Sequence, residues 1–384
     1  DVTNDINSGR KIFMNGLLLC TVLGFALFGI LYFMKPLLDY MKQPEEVTLM
    51  AKPFLDVVAL SLIPLVIFQA YKQFADGKSQ TKYSMYATII ANVVNVVLNY
   101  LLIYGVWIFP ELGMMGAAYG TLFSRIAMLI YMYFALNNLS DFKPYLSNIS
   151  FKEIDKAVCN KITKIGGPSS MQSLFEVGLF TGAVWLSGMI GTSAQAANQI
   201  ALSMASMTFM FASGLGVAAM IRVGNQKGFQ DYKKLRVVAL SIVLMTILLY
   251  TFFALFFVIF HNYIPLFFLD AEDAKNALLN QEVIELAGKL LMIAAIFQIS
   301  DGIQVTVLGA LRGLQDVNIP TIITFISYWL IGFPVAIYLG LYTEMGAEGI
   351  WYGLLAGLTA AAIFSYLRLN YMTKKLIHSQ QAKA

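Results

Sequence analysis

The sequence predicts an all-α, polytopic membrane protein built from two pseudo-symmetric helix bundles. Hydrophobic residues make up 58% of the 384 positions and charged residues only 12%, and the mean hydropathy is +0.69. A soluble domain of this length needs a more polar surface, whereas lipid can solvate an apolar exterior. Long apolar segments recur along the whole chain, and one glycine motif occurs twice.

The apolar segments have the length of membrane-spanning helices. A hydrocarbon core of about 30 Å needs roughly 20 apolar residues per helix. Segments of this kind occur at 12–34, 53–74, 83–107, 114–137, 163–189, 193–221, 235–260, 284–310, 318–341 and 346–371. Proline, glycine or charged residues separate them. The sequence therefore predicts ten spans.

The distribution of Lys and Arg predicts how the spans are oriented. Most of these residues fall on one set of loops and ends, and the alternate loops carry only Lys35, Lys42, Lys52 and Lys275. Because Lys and Arg collect in cytoplasmic loops, both ends of this chain are expected in the cytoplasm. We expect a multi-pass protein of the cell inner (cytoplasmic) membrane.

An internal repeat divides the chain. Gly113–Gly120 and Gly346–Gly353 both read G-x-x-G-x-x-Y-G, at an offset of 233, and Gly77 and Gly313 stand at an offset of 236. Two matches at nearly one offset predict homologous halves of parallel topology.

The repeat also predicts the domain organisation. We expect a four-helix N-terminal bundle at 1–137, a cytoplasmic linker at 138–160 and a six-helix C-terminal bundle at 161–384. Within the linker, Ser150–Glu153 has the spacing of a capping box that opens a surface helix. Residues 161–222 would pair with positions before residue 1, so a six-plus-six parent is expected, with two helices missing from the front.

Several function classes are excluded by motifs that the sequence lacks. There is no G-x-x-x-x-G-K-[ST], H-E-x-x-H or G-x-S-x-G, so neither ATP hydrolysis nor protease or esterase chemistry is indicated. The basic residues are scattered, which gives no case for nucleic acid. We expect no enzyme and no cofactor, and the energy for any work must come from an ion gradient or a partner.

A group of motifs resembles one transporter family. These are Gly167-Pro168 with Glu176, Ala196–Ile200, Arg222–Asn225, and Gln298–Gln304 running on to Gly313 and Asp316. Together they resemble the seventh, eighth and tenth helices of MATE (multidrug and toxic compound extrusion) transporters. The acidic residue at position 176 resembles the one found in the NorM-like branch of the family. The resemblance covers the chain from the third family helix onward.

The resemblance implies a function. It implies a monomeric antiporter that exports xenobiotic, often cationic, small molecules in exchange for H⁺ or Na⁺ by alternating access. In the family, an acidic residue of the first helix takes part in cation coupling, and this chain does not contain that helix.

Charged side chains within the spans are the strongest site candidates, because a charge at mid-membrane costs on the order of 2.5–3.5 kcal/mol on insertion scales. Glu176 and Asp301 lie deep in their helices, with Gln172, Gln298 and Gln304 nearby. A buried carboxylate can bind a proton, a sodium ion or an organic cation, but not all at once. This competition is the physical basis of antiport. The alternative is an inert carboxylate that bonds to neighbouring helices.

Other polar residues are weaker candidates. Cavity roles are open to Asn95, Asn99, Gln69 and Asn198, although helix packing explains them equally well. Arg222 and Arg312 end helices on the predicted cytoplasmic side, where they are expected to anchor topology and could close an inner gate through Asp316. For the remaining charges we expect a packing role for Arg125, a surface ion pair for Glu285 with Lys289, and solvation for Asp56.

Rival functions stay open. A lipid-linked oligosaccharide flippase shares the superfamily architecture, but such a cavity is usually rich in Lys and Arg, and here Arg125 is the deep cation of the spans. The chain could also be an inactive fragment or a non-transporting membrane protein. The expected partners are small organic substrates and membrane lipid. The choice between H⁺ and Na⁺ is not decided by a carboxylate pair.

Overall fold

The computed structural model describes residues 6–40, 45–146, 154–269 and 277–382. Within them the chain is helical and contains no strand. Ten of these helical segments are long and apolar enough to cross a membrane, and each predicted span coincides with one of them. The all-α, polytopic class is therefore confirmed. The capping box at 150–153 lies outside the described residues.

The main helices follow the chain in order. They are α1 (Ile6–Met34), α2 (Glu45–Leu60), α3 (Leu62–Gly77), α4 (Thr81–Tyr104), α5 (Met114–Asn137), the short α6 (Lys143–Leu146), α7 (Lys156–Ile190), α8 (Thr192–Gly228), α9 (Tyr232–Phe260), α10 (Ala277–Gly313), α11 (Asn318–Phe325), α12 (Phe333–Leu341) and α13 (Gly346–Gln381). Short 3₁₀ turns cover Lys35–Tyr40 and Ile264–Phe267.

The chain forms two compact units that divide within α7, after Thr163. In the first unit α1 packs on α3, and α4 packs on α5. Its core holds aromatic and sulfur side chains such as Phe13, Phe68 and Met132.

The second unit is organised around α10, which packs against α8, α9 and α13. Contact between α8 and α10 runs backbone to backbone at glycines. A Cβ on Gly309 would overlap Gly216, and one on Gly313 would overlap the backbone of Met220. Small residues permit this approach, and it fixes the position of α10 in the unit.

Two spans contain a helix irregularity upstream of a proline. Pro64 has no N–H to offer the carbonyl of Leu60, and the helix is interrupted at Ser61 between α2 and α3. Pro334 follows a π-helical stretch at Ile326–Gly332, in which the Phe333 N–H bonds the Tyr328 carbonyl. The apolar segments at 53–74 and 318–341 predicted continuous helices here, because hydropathy does not report the hydrogen-bond register.

Both copies of the repeat have the same local geometry. Gly113 and Gly346 open α5 and α13 with φ of 53° and 54°. This conformation favours glycine. In each motif the later glycines press on the preceding helix, so that Gly120 meets Asn99 of α4 and Gly353 meets Ala336 of α12.

The second matching pair of the repeat is a turn. Ser79 and Gln315 stand at the same offset as Gly77 and Gly313, and they have φ of 60° and 59°. Each of the two residues donates its N–H to the residue three positions earlier at 2.9 Å. The repeat found in the sequence therefore corresponds to repeated structure.

Gly353 allows a test of this packing. Gly353→Ala is expected to destabilise the protein by roughly 1–3 kcal/mol, because the new methyl group forces α13 away from α12. Gly214→Ala is the control, since nothing lies within 4 Å of a Cβ there. Thermal unfolding in detergent measures both variants. Equal melting temperatures would contradict the packing described.

Candidate functional site

Glu176 of α7 and Asp301 of α10 line one cavity of about 790 Å³ in the second unit. Its walls come from α7, α8 and α10, and include Phe180, Phe209 and Phe297. The remaining lining residues are Ser173, Val177, Thr181, Gln199, Leu202, Ser203, Ala205 and Ser206. The cavity therefore combines apolar walls with hydroxyl, amide and carboxylate groups.

Asp301 is the more deeply placed carboxylate, with 3% of its surface exposed. Its Oδ1 atom is buried and makes no hydrogen bond within the described residues. Gln298 and Gln304 lie three residues before and after it, which places them about 60° to either side on the helix. Both glutamines are buried, and their side-chain oxygens also make no hydrogen bond there. Such groups cost free energy unless they gain a partner.

Glu176 faces the same cavity from α7. Its Oε1 atom is buried and unbonded among the described residues. Glu176 interacts electrostatically with Asp301 and with Arg312. Two carboxylates and one guanidinium therefore share one neighbourhood.

Tyr328 belongs to this cluster, and the sequence did not single it out. It is fully buried in the π-helical stretch. Its electrostatic neighbours are Glu176, Asp301 and Arg312. Its hydroxyl makes no hydrogen bond within the described chain. The only sequence signal for it was Pro334, which indicates an irregular helix but not where Tyr328 points.

Arg312 holds the end of α10 against α7. Its Nη2 and Nε atoms donate to Gln172 Oε1 at 2.9 and 3.3 Å. Gln172 Nε2 donates in turn to the Val317 carbonyl and to Thr321 Oγ1, at 3.2 and 3.0 Å. The Thr321 hydroxyl is 2.9 Å from the carbonyl of Pro168. This chain of bonds, the Gln172 network, ties α7 to α10 and to the start of α11.

Asp316 has a different partner from the one expected. It forms an ion pair with Arg368 of α13, with Nε 2.7 Å from Oδ2. Arg222 is exposed six residues before the end of α8, and Arg312 donates to Gln172. The expected link of Arg222 or Arg312 to Asp316 is therefore replaced by a link to Arg368, which from sequence was only one of the many basic residues on the predicted cytoplasmic side.

Comparison with known proteins identifies the family. The model of the MatE family matches residues 4–101 and 168–338. The chain belongs to the MatE family. It is 33% identical over 350 residues to a "Probable multidrug resistance protein NorM" of Bacillus cereus, covering 90% of this chain and 74% of that protein. It is 32% identical over 366 residues to "Multidrug resistance protein NorM" of Photobacterium profundum, covering 93% and 77%.

Solved structures of MATE transporters have the same fold. One is described as the outward-facing conformation of a multidrug resistance MATE family transporter of the MOP superfamily. It superposes with a TM-score of 0.85 at 19% identity, covering 96% of this chain and 80% of that one. The eukaryotic MATE transporter AtDTX14 gives 0.83 at 18% identity, covering 98% and 82%. The MatE chain is thus a multi-pass membrane protein of a transporter family, not an enzyme, and its relatives support the NorM-like branch.

The weaker cavity candidates of the MatE chain lie outside the 790 Å³ cavity. Asn198 is fully buried, and its Oδ1 atom accepts from Trp351 Nε1 at 2.9 Å. Asn99 Nδ2 donates to Asn95 Oδ1 at 3.2 Å, beside Gly120. Gln69 is half-buried on α3. The Asn198 contact joins α8 to α13, whereas Asn95 and Asn99 bond each other on α4 and are half-buried in the first unit.

The other membrane-embedded charges also have structural partners. Arg125 Nη1 donates to Ser61 Oγ at 2.6 Å, at the interruption before Pro64. Asp56 was expected to be solvated, but it is paired with Lys35 at 2.8 Å. The expected pair of Glu285 and Lys289 is present at 3.1 Å. It is largely exposed, so its contribution to stability is small.

One side of the cavity could have been found from sequence. Gln199, Ser203 and Ser206 recur on α8 at spacings of four and three, the pattern of one helix face. All three line the cavity. The apolar residues between them hid this polar stripe.

Metal-binding potential rests on the two carboxylates. Among the residues that the structure describes, no three His, Cys, Asp or Glu side chains come together. A cation held at Glu176 and Asp301 would take its other oxygen ligands from neutral groups. The unbonded oxygens of Gln298, Gln304 and Tyr328 are of that kind.

The Gln172 network can be tested by one substitution. Gln172→Leu keeps the volume but removes the acceptor of Arg312, and should destabilise the protein by about 1.5–3 kcal/mol. Gln199→Leu is the matched control, because Gln199 is exposed to the cavity. Thermal unfolding in detergent compares the two. A control that melts as early as Gln172→Leu would show that the network contributes nothing particular.

Proposed function

We propose that this chain is a cation-coupled multidrug antiporter of the NorM type. It exports xenobiotic, often cationic, small molecules across the inner membrane by alternating access, in exchange for H⁺ or Na⁺. The names of its NorM relatives support multidrug export. The observation that carries the coupling is that Glu176 and Asp301 share one cavity, each with a buried oxygen that makes no hydrogen bond within the described residues.

The charge balance of the site supports cation binding. Arg312 is permanently charged, so two ionised carboxylates beside it leave a local charge of about −1. One bound cation neutralises the cluster, and a second would have to be accommodated in a medium that disfavours net charge. A coupling ion and a cationic substrate therefore compete for the same charge, and entry of one favours release of the other.

The size and lining of the cavity suit an organic cation. A volume of about 790 Å³ lies within the range of roughly 300–1,000 Å³ usual for small-molecule sites. Phe180, Phe209 and Phe297 provide apolar and aromatic surface, which attracts organic cations. No Lys or Arg is among the lining residues that the structure describes. This lining is unfavourable for the pyrophosphate of a lipid-linked oligosaccharide.

The orientation of the chain and the place of the inner gate are inferred from the distribution of Lys and Arg. Both ends of the chain are placed in the cytoplasm, on the positive-inside rule. Arg312 and Asp316 then lie at the inner end of the second unit. Through Gln172 and Arg368 they hold α7, α10 and α13 together there. We assign these contacts, with the exposed Arg222, to the region of an inner gate.

Removal of one carboxylate tests the coupling role. Asp301→Asn is expected to abolish coupled export while the fold stays intact, because the amide is nearly isosteric but cannot bind a cation by charge. Ethidium efflux from drug-sensitive cells, with membrane expression checked, measures the effect. Glu285→Gln is the control, since it removes an exposed carboxylate of the same unit. If Asp301→Asn cells still excluded ethidium as the parent does, the assigned role would be wrong.

The coupling ion can be identified in the same cells. Ethidium efflux that collapses when sodium is withdrawn would identify Na⁺ as the coupling ion. If efflux is indifferent to sodium but is lost with a protonophore, the ion is H⁺. A protein that reaches the membrane but exports no cationic dye under either gradient would contradict the proposed antiport and favour the flippase.

A further inference from the structure

A second crevice in the second unit lies on another face of α10. It has a volume of about 480 Å³ and lies between α9, α10 and α13. Ser300 and Ile303 of α10 line it, whereas Phe297 and Asp301 line the carboxylate cavity. Both cavities are therefore lined by α10, but by different residues of that helix.

The crevice is apolar and open to the side. Leu244 of α9 and Ile363 and Leu367 of α13 line it with 52–57% of their surfaces exposed. Its floor hydroxyls, Ser300 Oγ and Thr359 Oγ1, lie 2.9 Å apart and bond each other. No charged side chain is among the lining residues that the structure describes. In a membrane-spanning segment, such a surface faces hydrocarbon.

A cation lies one helical turn beyond one end of the crevice. Arg236 lies one turn before Leu240 on α9, and its guanidinium reaches α13. Nη2 donates to Asn370 Oδ1 at 2.7 Å, and Nη1 donates to Thr373 Oγ1 at 2.9 Å. Asn370 and Thr373 continue the helix face on which Tyr366 lines the crevice. These bonds, with a longer one from Nη1 to the Asn370 carbonyl at 3.4 Å, use Nη1 and Nη2, and among the described residues the Nε–H of Arg236 makes no hydrogen bond.

More positive charge surrounds this end. Exposed lysines occupy the adjacent turns of both helices, at Lys233, Lys234, Lys374 and Lys375. The nearby acid, Asp231, is the N-cap of α9 and accepts from the backbone N–H of Lys234 at 3.0 Å. The end of the crevice is therefore strongly basic.

We infer that this crevice binds an anionic phospholipid. The phosphate group lies at Arg236 and the neighbouring lysines, and one acyl chain runs between α9 and α13 over Ser300 and Ile303. The chemistry has two complementary parts, because the apolar crevice matches the chain and the basic end matches the headgroup. Basic pockets between transmembrane helices are a recognised setting for anionic headgroups. A zwitterionic lipid would place its own ammonium group against the lysines.

This site goes beyond the proposed transport function and does not rest on it. It nevertheless contacts the helix that bears Asp301, at the residue next to it in sequence. A bound acyl chain packs on α10 from the side away from the carboxylate, so occupancy of the crevice restrains the helix on which that carboxylate is mounted.

Native mass spectrometry of the purified protein tests the inference, with dioleoyl phosphatidylglycerol and dioleoyl phosphatidylcholine as probes. The anionic lipid should bind at least about fivefold more tightly than the zwitterionic one, because a single basic residue near the headgroup contributes about 1 kcal/mol. Arg236→Gln should lower the ratio of the two affinities about fivefold. Lys161→Gln, at an exposed lysine of α7, should leave it unchanged.

A second pair of variants tests the acyl chain without touching Arg236. Leu244→Trp fills the crevice and should weaken binding of phosphatidylglycerol. Leu248→Trp, one turn further on α9 and 65% exposed but outside the crevice, should not. This pair also covers the case in which Arg236→Gln misfolds because it frees α9 from α13, which its melting temperature reveals.

The outcomes separate clearly. Equal affinity for the two lipids in the parent protein would overturn the inference, as would identical behaviour of Arg236→Gln and Lys161→Gln or of the two tryptophan variants. None of these measurements uses transport, so a failed efflux assay leaves the lipid site standing, and a failed lipid assay leaves the proposed antiport standing.

Discussion

The second unit depends on the glycine contact between α8 and α10. Gly309 meets the backbone of Gly216, and Gly313 meets that of Met220, so the two helices approach more closely than any side chain would allow. In lipid there is little hydrophobic drive for helices to associate, and such close packing takes its place. With α10 fixed in this way, Asp301 is directed to the cavity and Ser300 to the second crevice. The helices α8, α9 and α13 all pack on α10.

The charged side chains within the spans of both units reflect the cost of charge in the membrane. Asp56, Asp316 and Arg125 each have a partner within hydrogen-bonding distance. Glu176 and Asp301 do not among the described residues, although both are buried at an oxygen atom. This contrast is the basis on which Glu176 and Asp301 are proposed as the coupling residues. A carboxylate that the fold leaves without a proton donor is one that a mobile cation can neutralise.

Three prolines within the helices lie near polar groups. The interruption before Pro64 presents Ser61 to Arg125, and the carbonyl of Pro168 accepts from Thr321. The π-helical stretch before Pro334 carries the buried Tyr328. A proline removes a backbone donor, and irregular backbone at membrane depth is tolerated only where the protein supplies replacement partners. The same irregularities re-aim side chains, so they place polar groups where a regular helix would not.

The sequence by itself determined the class of the protein, its ten spans, its repeat and its family. Each spanning helix must be a long apolar segment because lipid surrounds it, and the repeat is visible because its two copies share the same glycine positions. It also identified Glu176 and Asp301, since a charge in such a segment stands out from its neighbours. The tertiary structure decided which polar side chains contact each other. Arg368 rather than Arg222 or Arg312 holds Asp316, Gln172 engages Arg312, and Tyr328 joins the carboxylates. Those partners lie on different helices, and their meeting depends on rotation about each helix axis. Spans that are apolar nearly all round give no hydropathy signal for that rotation, so only the packed structure fixes it.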